Sequence, residues 1–208
     1  MIKETNSLNA NAKLKEHFEH NFIVLGIKNY EENMNKATLG KSIFDTAHVT
    51  GEFLLRSGQI SNEYFDKYKL ESDPKLLKEI AAHISQIIPE GSEILGGLEM
   101  GGIPIASAIS LETGMPSIFV RKKAKEYGTR KLAEGIDFSG KKVCVVEDVV
   151  TTGGQIIESV NKLRELGAIV SDVVCIIVRD PKAFGNLNDA GLNLIPLFTM
   201  EELKKLAE

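Results

Sequence analysis

Residues 143–155 constrain the fold more than any other part of the chain, because they place a strand, an acid pair and a helix start in direct succession. An apolar run leads to Glu147 and Asp148, and the sequence VVTTGGQ then opens an amphipathic helix. Open α/β sheets bind ligands beyond the carboxyl ends of their strands. The N-terminus of a helix offers free N–H groups and a positive dipole end to a phosphate. The pattern therefore predicts a sugar-phosphate site, in which the acids bind ribose hydroxyls or a metal.

Strand-like and helix-like segments alternate along the chain, which predicts an α/β fold with a mostly parallel central sheet flanked by helices. The segments typical of strands lie at 93–95, 117–120, 143–148, 173–178 and 192–197. Helical periodicity or capping signals predict helices at 39–49, 74–88, the segment ending near Leu111, 156–166 and 201–206.

Two short strands, at 53–58 and 64–68, precede this alternation and are joined by a polar turn. The first part of the chain is Asn-rich and has no chemical motif. We therefore expect an N-terminal extension at 1–38 that is partly mobile, followed by one domain at 39–208.

Composition and charge argue against several classes of function. The 208-residue chain has a net charge of −4, which argues against a general nucleic-acid binder. Its longest apolar run near the N-terminus, at 22–27, is too short for a membrane span or a signal peptide. Cys144 and Cys175 lie inside apolar runs and are predicted to be buried in neighbouring strands. We expect a cytoplasmic enzyme with neither a nucleic-acid nor a membrane partner.

A basic segment and a glycine-rich turn add to the predicted site. Residues 121–131 hold six basic residues and one acid within eleven positions. A solvated surface loop is the alternative, but the run begins where a strand ends, on the edge where ligands bind. The turn at 96–102 lacks the G-x-G-x-x-G spacing of a dinucleotide site. Tight packing of the backbone is one explanation of its glycines, and close approach of a ligand to the backbone is another.

The stretch 143–155 resembles the phosphoribosyl diphosphate (PRPP) signature of type I phosphoribosyltransferases. The resemblance implies that Glu147 and Asp148 hold the ribose hydroxyls and that Lys125 and Asp148 are catalytic. It also implies that the basic segment is a catalytic loop, mobile from about 123 to 135, and that the turn at 96–102 contacts pyrophosphate. The implied PRPP-binding residues are Arg121, Lys122, Lys125, Tyr127, Glu147, Asp148, Thr151, Thr152, Gly153, Gly154 and Gln155.

Residues 53–66 resemble the N-terminal hood of orotate phosphoribosyltransferases. The implied fold has this hood at about 39–70 together with the C-terminal part, and a core at about 71–190. The implied orotate-binding residues are Arg56, Tyr64, Phe65, Thr151 and Arg179. Two positions depart from the family pattern, since Tyr127 replaces a histidine and Gly101 stands where members carry a lysine.

The resemblance implies transfer of the 5-phosphoribosyl group from PRPP to orotate, giving orotidine 5′-phosphate and pyrophosphate in de novo UMP synthesis. It also implies Mg²⁺ held mainly by PRPP and water, with no metal ligand from the protein, and a homodimer with shared active sites. The alternatives are a phosphoribosyltransferase for another nucleobase and a non-catalytic PRPP-binding regulator.

Overall fold

The computed structural model describes residues 34–54, 58, 60–123 and 131–208. Its strands are β1 His48–Leu54, β2 Ile60–Phe65, β3 Ile94–Leu98, β4 Ser117–Val120, β5 Ala133–Gly135, β6 Lys142–Val150, β7 Ile169–Val178 and β8 Asn193–Thr199. Its helices are α1 Lys36–Ala47, α2 Tyr68–Ser72, α3 Pro74–Ser85, α4 Gly102–Thr113, α5 Gly154–Glu165, α6 Lys182–Asp189 and α7 Met200–Ala207.

Six strands form the central sheet in the order β5-β4-β3-β6-β7-β8. All neighbouring pairs are parallel except β4 and β5. The buried strand β7 lies between β6 and β8, and its six C-terminal residues are all shielded from solvent. This burial on both faces explains why its sequence is continuously apolar. The predicted α/β fold with a mostly parallel sheet is confirmed.

Helices cover both faces of the sheet, each over its own apolar cluster. One cluster joins α1, α3, α4 and α7 to the sheet and contains Leu39, Ile80, Ile105, Phe198 and Leu203. The other lies under α5 and α6 and includes buried residues such as Val145, Val160, Leu163, Cys175 and Leu187. The sheet is therefore held from both sides, which fixes its carboxyl edge as a rigid platform.

The predicted pair of hood strands is present as the antiparallel hairpin β1–β2. Its bounds differ from the prediction, because β1 begins at His48 and β2 ends at Phe65. Tyr68, placed in the second strand by the sequence, begins α2 instead. One compact unit spans Met34–Glu208, and the predicted extension at 1–38 lies mostly outside the described residues.

One further expectation needs correction, and one helix was not predicted. The mobile loop predicted from about 123 to 135 is wrong at its end, because Ala133–Gly135 form the edge strand β5. Helix α6 had no sequence prediction, and it is held in place by the buried side chains of Ala183 and Leu187. Among the residues with described structure, no helix is long and apolar enough to cross a bilayer.

Candidate active site

A cavity of about 370 Å³ opens at the carboxyl edge of the sheet. The loop 149–156 and Glu147 form one wall. The opposite wall comes from Glu99 and Met100 after β3 and Lys122 after β4, and Lys67 and Tyr68 reach it from the start of α2. The cleft therefore lies where the parallel topology predicts a ligand.

The loop between β6 and α5 leads directly into the helix. Gly153 has a φ of +81°, a left-handed conformation that favours glycine, and a Cβ there would lie 3.0 Å from Leu187 Cγ. A Cβ on Gly154 would meet nothing within 4 Å. No side chain caps the start of α5 within the described residues, so its first N–H groups are available to a ligand. The Asn186 side chain donates to the Thr152 carbonyl at 2.9 Å and holds the loop from behind.

The acid pair at the end of β6 lies in two different environments. Asp148 is buried, with 1% of its surface exposed, whereas Glu147 is half-buried beside the cavity. The Val149 N–H donates to Asp148 Oδ1 at 2.5 Å, and the Asp148 N–H donates to Glu147 Oε1 at 3.1 Å. The Lys67 ammonium lies 2.5 Å from Asp148 Oδ2. Asp148 is thus fixed by the backbone on one side and by a cation on the other.

These contacts separate the pKa values of the two acids. Burial opposes ionisation of Asp148, but hydrogen bonds with Glu147 and Lys67 hold its pKa below the usual range. Burial and the neighbouring Asp148 raise the pKa of Glu147 well above its usual range. Burial opposes charge on Lys67 as well, yet Asp148 raises the pKa of this ammonium. These shifts favour the charged forms of Lys67 and Asp148 and the protonated form of Glu147.

A third acid, Glu71 on α2, lies next to Asp148. Its Oε1 is buried and has no hydrogen bond of good geometry within the described residues. Burial, followed by the charge of Asp148, raises the pKa of Glu71 to about 8. Gly101 packs against both acids, since a Cβ there would lie 1.6 Å from Asp148 Oδ2 and 2.7 Å from Glu71 Oε1.

The basic segment is described only at its ends. Lys122 lines the cavity, and its N–H donates to Glu99 Oε1 at 2.9 Å. Arg121 is directed towards β5, with its Nε 3.8 Å from Glu134 Oε1. The predicted catalytic residue Lys125 and the predicted PRPP ligand Tyr127 lie outside the described residues.

Three of the five predicted orotate-binding residues line a second cavity, of about 230 Å³. Tyr64, Phe65 and Arg179 line it together, whereas Thr151 lines the first cavity. Phe65 is 8% exposed, and the more exposed Tyr64 ring packs at 5.4 Å from Phe53. Arg56 lies outside the described residues.

Sequence reasoning missed Lys67 and Glu71. Both lie in a mixed-charge stretch between β2 and α3 that has no motif spacing. The one available signal was Gly101, whose missing side chain leaves room for groups from elsewhere in the chain.

Comparison with known proteins agrees with this geometry. The family model described as phosphoribosyl transferase domain matches residues 68–183, which contain the acid pair and the phosphate loop. The fold and the site thus define a type I phosphoribosyltransferase.

Proteins with similar sequences and structures show which type I phosphoribosyltransferases this chain resembles. The chain is 49% identical to an orotate phosphoribosyltransferase of Nocardioides sp. over 83% of this chain and 96% of that protein. It is similar to the crystal structure of Mycobacterium tuberculosis orotate phosphoribosyltransferase with inorganic phosphate, at 26% identity and a TM-score of 0.73, over 81% of this chain and 98% of that one. The Aeropyrum pernix orotate phosphoribosyltransferase gives 30% identity and a TM-score of 0.71, over 81% and 97% of the two chains. The chain belongs to the orotate phosphoribosyltransferase family.

Proposed function

We propose that this protein transfers the 5-phosphoribosyl group of PRPP to orotate, releasing orotidine 5′-phosphate and pyrophosphate, as a step of de novo UMP synthesis. The observation that carries the proposal is that the phosphate loop and Glu147 line the cleft, with Asp148 buried beside Glu147, in a chain similar over most of its length to orotate phosphoribosyltransferases.

The donor sugar is held at two points. The first N–H groups of α5 bind the 5′-phosphate, helped by the positive end of the helix dipole and by the hydroxyls of Thr151 and Thr152. Glu147, which lines the cleft, and Asp148, which is buried next to it, bind the two ribose hydroxyls. Fixing both ends of the ring positions C1 for attack, which lowers the entropic cost of bringing the two substrates together.

The reaction breaks the bond from C1 to the diphosphate oxygen and forms the bond from C1 to the orotate nitrogen. Charge develops on the leaving diphosphate, so cations on that wall stabilise the transition state. Lys122 supplies one of them. Catalysis by Lys125, with Arg121 and Tyr127 as further ligands, stays a prediction from the resemblance.

Mg²⁺ is proposed as the cofactor, bound chiefly through diphosphate oxygens and water. The donor set of the cleft fits this arrangement, since Asp148 is already paired with Lys67 and the pKa of Glu147 is raised. The ion would neutralise charge on the leaving group. The residues of this chain orient the sugar and exclude water around it.

Orotate specificity rests on the second cavity. Arg179 and the Tyr64 ring line it, which suits a flat base that carries a carboxylate. A homodimer with shared sites and a cytoplasmic location stay predictions, and sedimentation velocity of the purified protein tests the first.

The test is a spectrophotometric assay of orotate consumption with PRPP and Mg²⁺, repeated with purine bases and uracil. We expect turnover of orotate only. Arg179→Ala lowers orotate turnover, whereas Lys205→Ala, on the exposed face of α7, leaves it unchanged. Turnover of a different base would move the assignment within the family, and PRPP binding without any turnover would favour a regulator.

A further inference from the structure

Lys67 contacts the acid pair and also lines the open cleft. Its ammonium lies 2.5 Å from the buried Asp148 Oδ2, while the side chain is 32% exposed and lines the cavity. An ammonium has three N–H donors. Asp148 takes one of them, and the nitrogen also lies 5.3 Å from the centre of the Tyr68 ring. This leaves at least one donor for a ligand in the cleft, which Lys67 lines.

The ammonium can reach Asp148 because residue 101 is a glycine. A Cβ at position 101 would collide with Asp148 Oδ2, the same atom that Lys67 contacts. The Lys67 ammonium therefore contacts Asp148 beside Gly101, where a side chain at position 101 could not be accommodated. A cation reaches this wall of the cleft from the start of α2 instead.

The proposed binding mode puts the diphosphate on that wall. A ribose held by its diol at Glu147 and Asp148, with its 5′-phosphate at α5, directs C1 away from α5. The wall on that side is formed by Glu99, Met100, Lys122 and Lys67. Within the described lining, Lys67 and Lys122 are the cations, and Lys67 is the one beside the diol site.

We propose, on the basis of the function proposed above, that Lys67 binds the diphosphate of the donor while it stays paired with Asp148. Lys67 thereby places positive charge between the Asp148 carboxylate and the diphosphate, two anionic groups that would otherwise repel each other. The same residue holds the diol site and the leaving group in one geometry.

Isothermal titration calorimetry in the presence of Mg²⁺, with no base present, tests the proposal on three probes: PRPP, pyrophosphate and ribose 5-phosphate. We expect Lys67→Met to weaken PRPP and pyrophosphate about 10- to 100-fold, the range for one charge-assisted hydrogen bond. Ribose 5-phosphate, which lacks the diphosphate, loses at least about 3-fold less affinity than PRPP, because it is affected only through the loss of charge on Asp148. Lys67→Arg recovers part of the loss.

Lys69→Met is the matched control, because Lys69 is an exposed lysine on the same helix that does not line the cavity. Its three affinities stay at the wild-type values. If Lys67→Met does not fold, Lys67→Gln keeps a donor to Asp148 without the charge, and the same criteria apply.

An equal loss for ribose 5-phosphate and PRPP would overturn the proposal, since Lys67 would then act only through Asp148. Unchanged pyrophosphate binding would overturn it as well. Orotate turnover by the wild-type protein is measured separately, so this inference can fail while the proposed function stands. A wild-type protein that binds neither PRPP nor pyrophosphate would overturn both.

Discussion

At the scale of single residues, the site depends on how three carboxyl groups share charge beside one ammonium. An isolated buried carboxyl would keep its proton, because desolvation disfavours the charged form. Hydrogen bonds with Glu147 and Lys67 reverse this for Asp148, and burial together with the charge on Asp148 favours the protonated forms of Glu71 and Glu147. The sequence identified the acid pair, but the partner that sets its charge lies far away in the chain.

Asp148→Asn is expected to lower kcat/KM for PRPP by about 100-fold, the scale seen when a reacting group is misplaced. The amide keeps the shape but loses the charge that binds the diol and pairs with Lys67. Steady-state kinetics with orotate measure the effect. Asp172→Asn is the control, because Asp172 bonds with Ser171 and Asn193 near the other end of the sheet. Equal activity of the two variants would contradict the assigned role.

Glu71→Gln is expected to change how stability depends on pH. The pKa of Glu71 is about 8 in the folded protein, above its value in the unfolded chain, so the folded state holds a proton that the unfolded state has lost. Stability of the wild-type protein therefore falls as pH rises from about 5 to about 8. Glu71→Gln removes the part of this fall in the free energy of unfolding that comes from Glu71. That part is on the order of 1–2 kcal/mol after allowance for partial exposure.

Urea unfolding at pH 5, 7 and 9 checks this expectation. Glu90→Gln, at an exposed position, serves as the control and keeps the wild-type slope. Parallel curves for Glu71→Gln and the wild-type protein would show that Glu71 is ionised at neutral pH.

At the scale of elements, the phosphate site depends on the two glycines that start α5. Gly153 is required by the backbone, because its φ is +81° and Leu187 packs against it. Gly154 has no such constraint, since its missing Cβ points into open space. We infer that Gly154 is small so that the ligand can approach the backbone.

Gly154→Ala is therefore expected to weaken PRPP binding about 10-fold with little loss of stability, because the added methyl group enters the ligand's space. Gly185→Ala in α6 is the matched control, with the same open surroundings away from the cleft. It is expected to raise stability by about 0.5–1 kcal/mol, the usual gain in a helix interior, and to leave binding unchanged. Calorimetry and thermal unfolding measure the two effects, and full PRPP affinity in Gly154→Ala would exclude a ligand at this point.

The sequence predicted those strands and helices whose buried residues form a regular apolar pattern. Strand β4 was predicted with its observed bounds, and the apolar run at 173–178 lies within β7. The strand β5 has three residues, one of them Gly135, so it has no periodicity to detect. Helix α6 contains a glycine and two asparagines, and it forms because tertiary packing buries its apolar side. The phosphate loop was readable because its residues are contiguous, whereas the Lys67–Asp148 contact is made only by the fold.

At the scale of the whole molecule, one sheet with an apolar cluster on each face holds the site. Cys144 and Cys175 lie in β6 and β7, at the centre of this arrangement, with 1% and 0% of their surfaces exposed. Burial raises the pKa of Cys144 to about 12 and that of Cys175 well above its usual range. The prediction of two buried cysteines in neighbouring strands is confirmed.

Both thiols are expected to react with a disulfide reagent at pH 8 only when the domain unfolds. Labelling of the native protein should be at least about 1,000-fold slower than in denaturant, the scale set by global stability. The labelling rate is followed by absorbance, and Cys144→Ala shows whether the two thiols react together. Rapid labelling of one thiol in the native protein would reveal local opening of the sheet.

The absence of a side chain at Gly101 also limits which substitutions this protein can accept. A larger residue at 101 would strike Asp148 and Glu71, so it could become established only after those neighbours had rearranged. Substitutions at 67, 71 and 101 should therefore be inherited together. In lineages that carry a long side chain at the position of Gly101, we expect a residue without charge at that of Lys67.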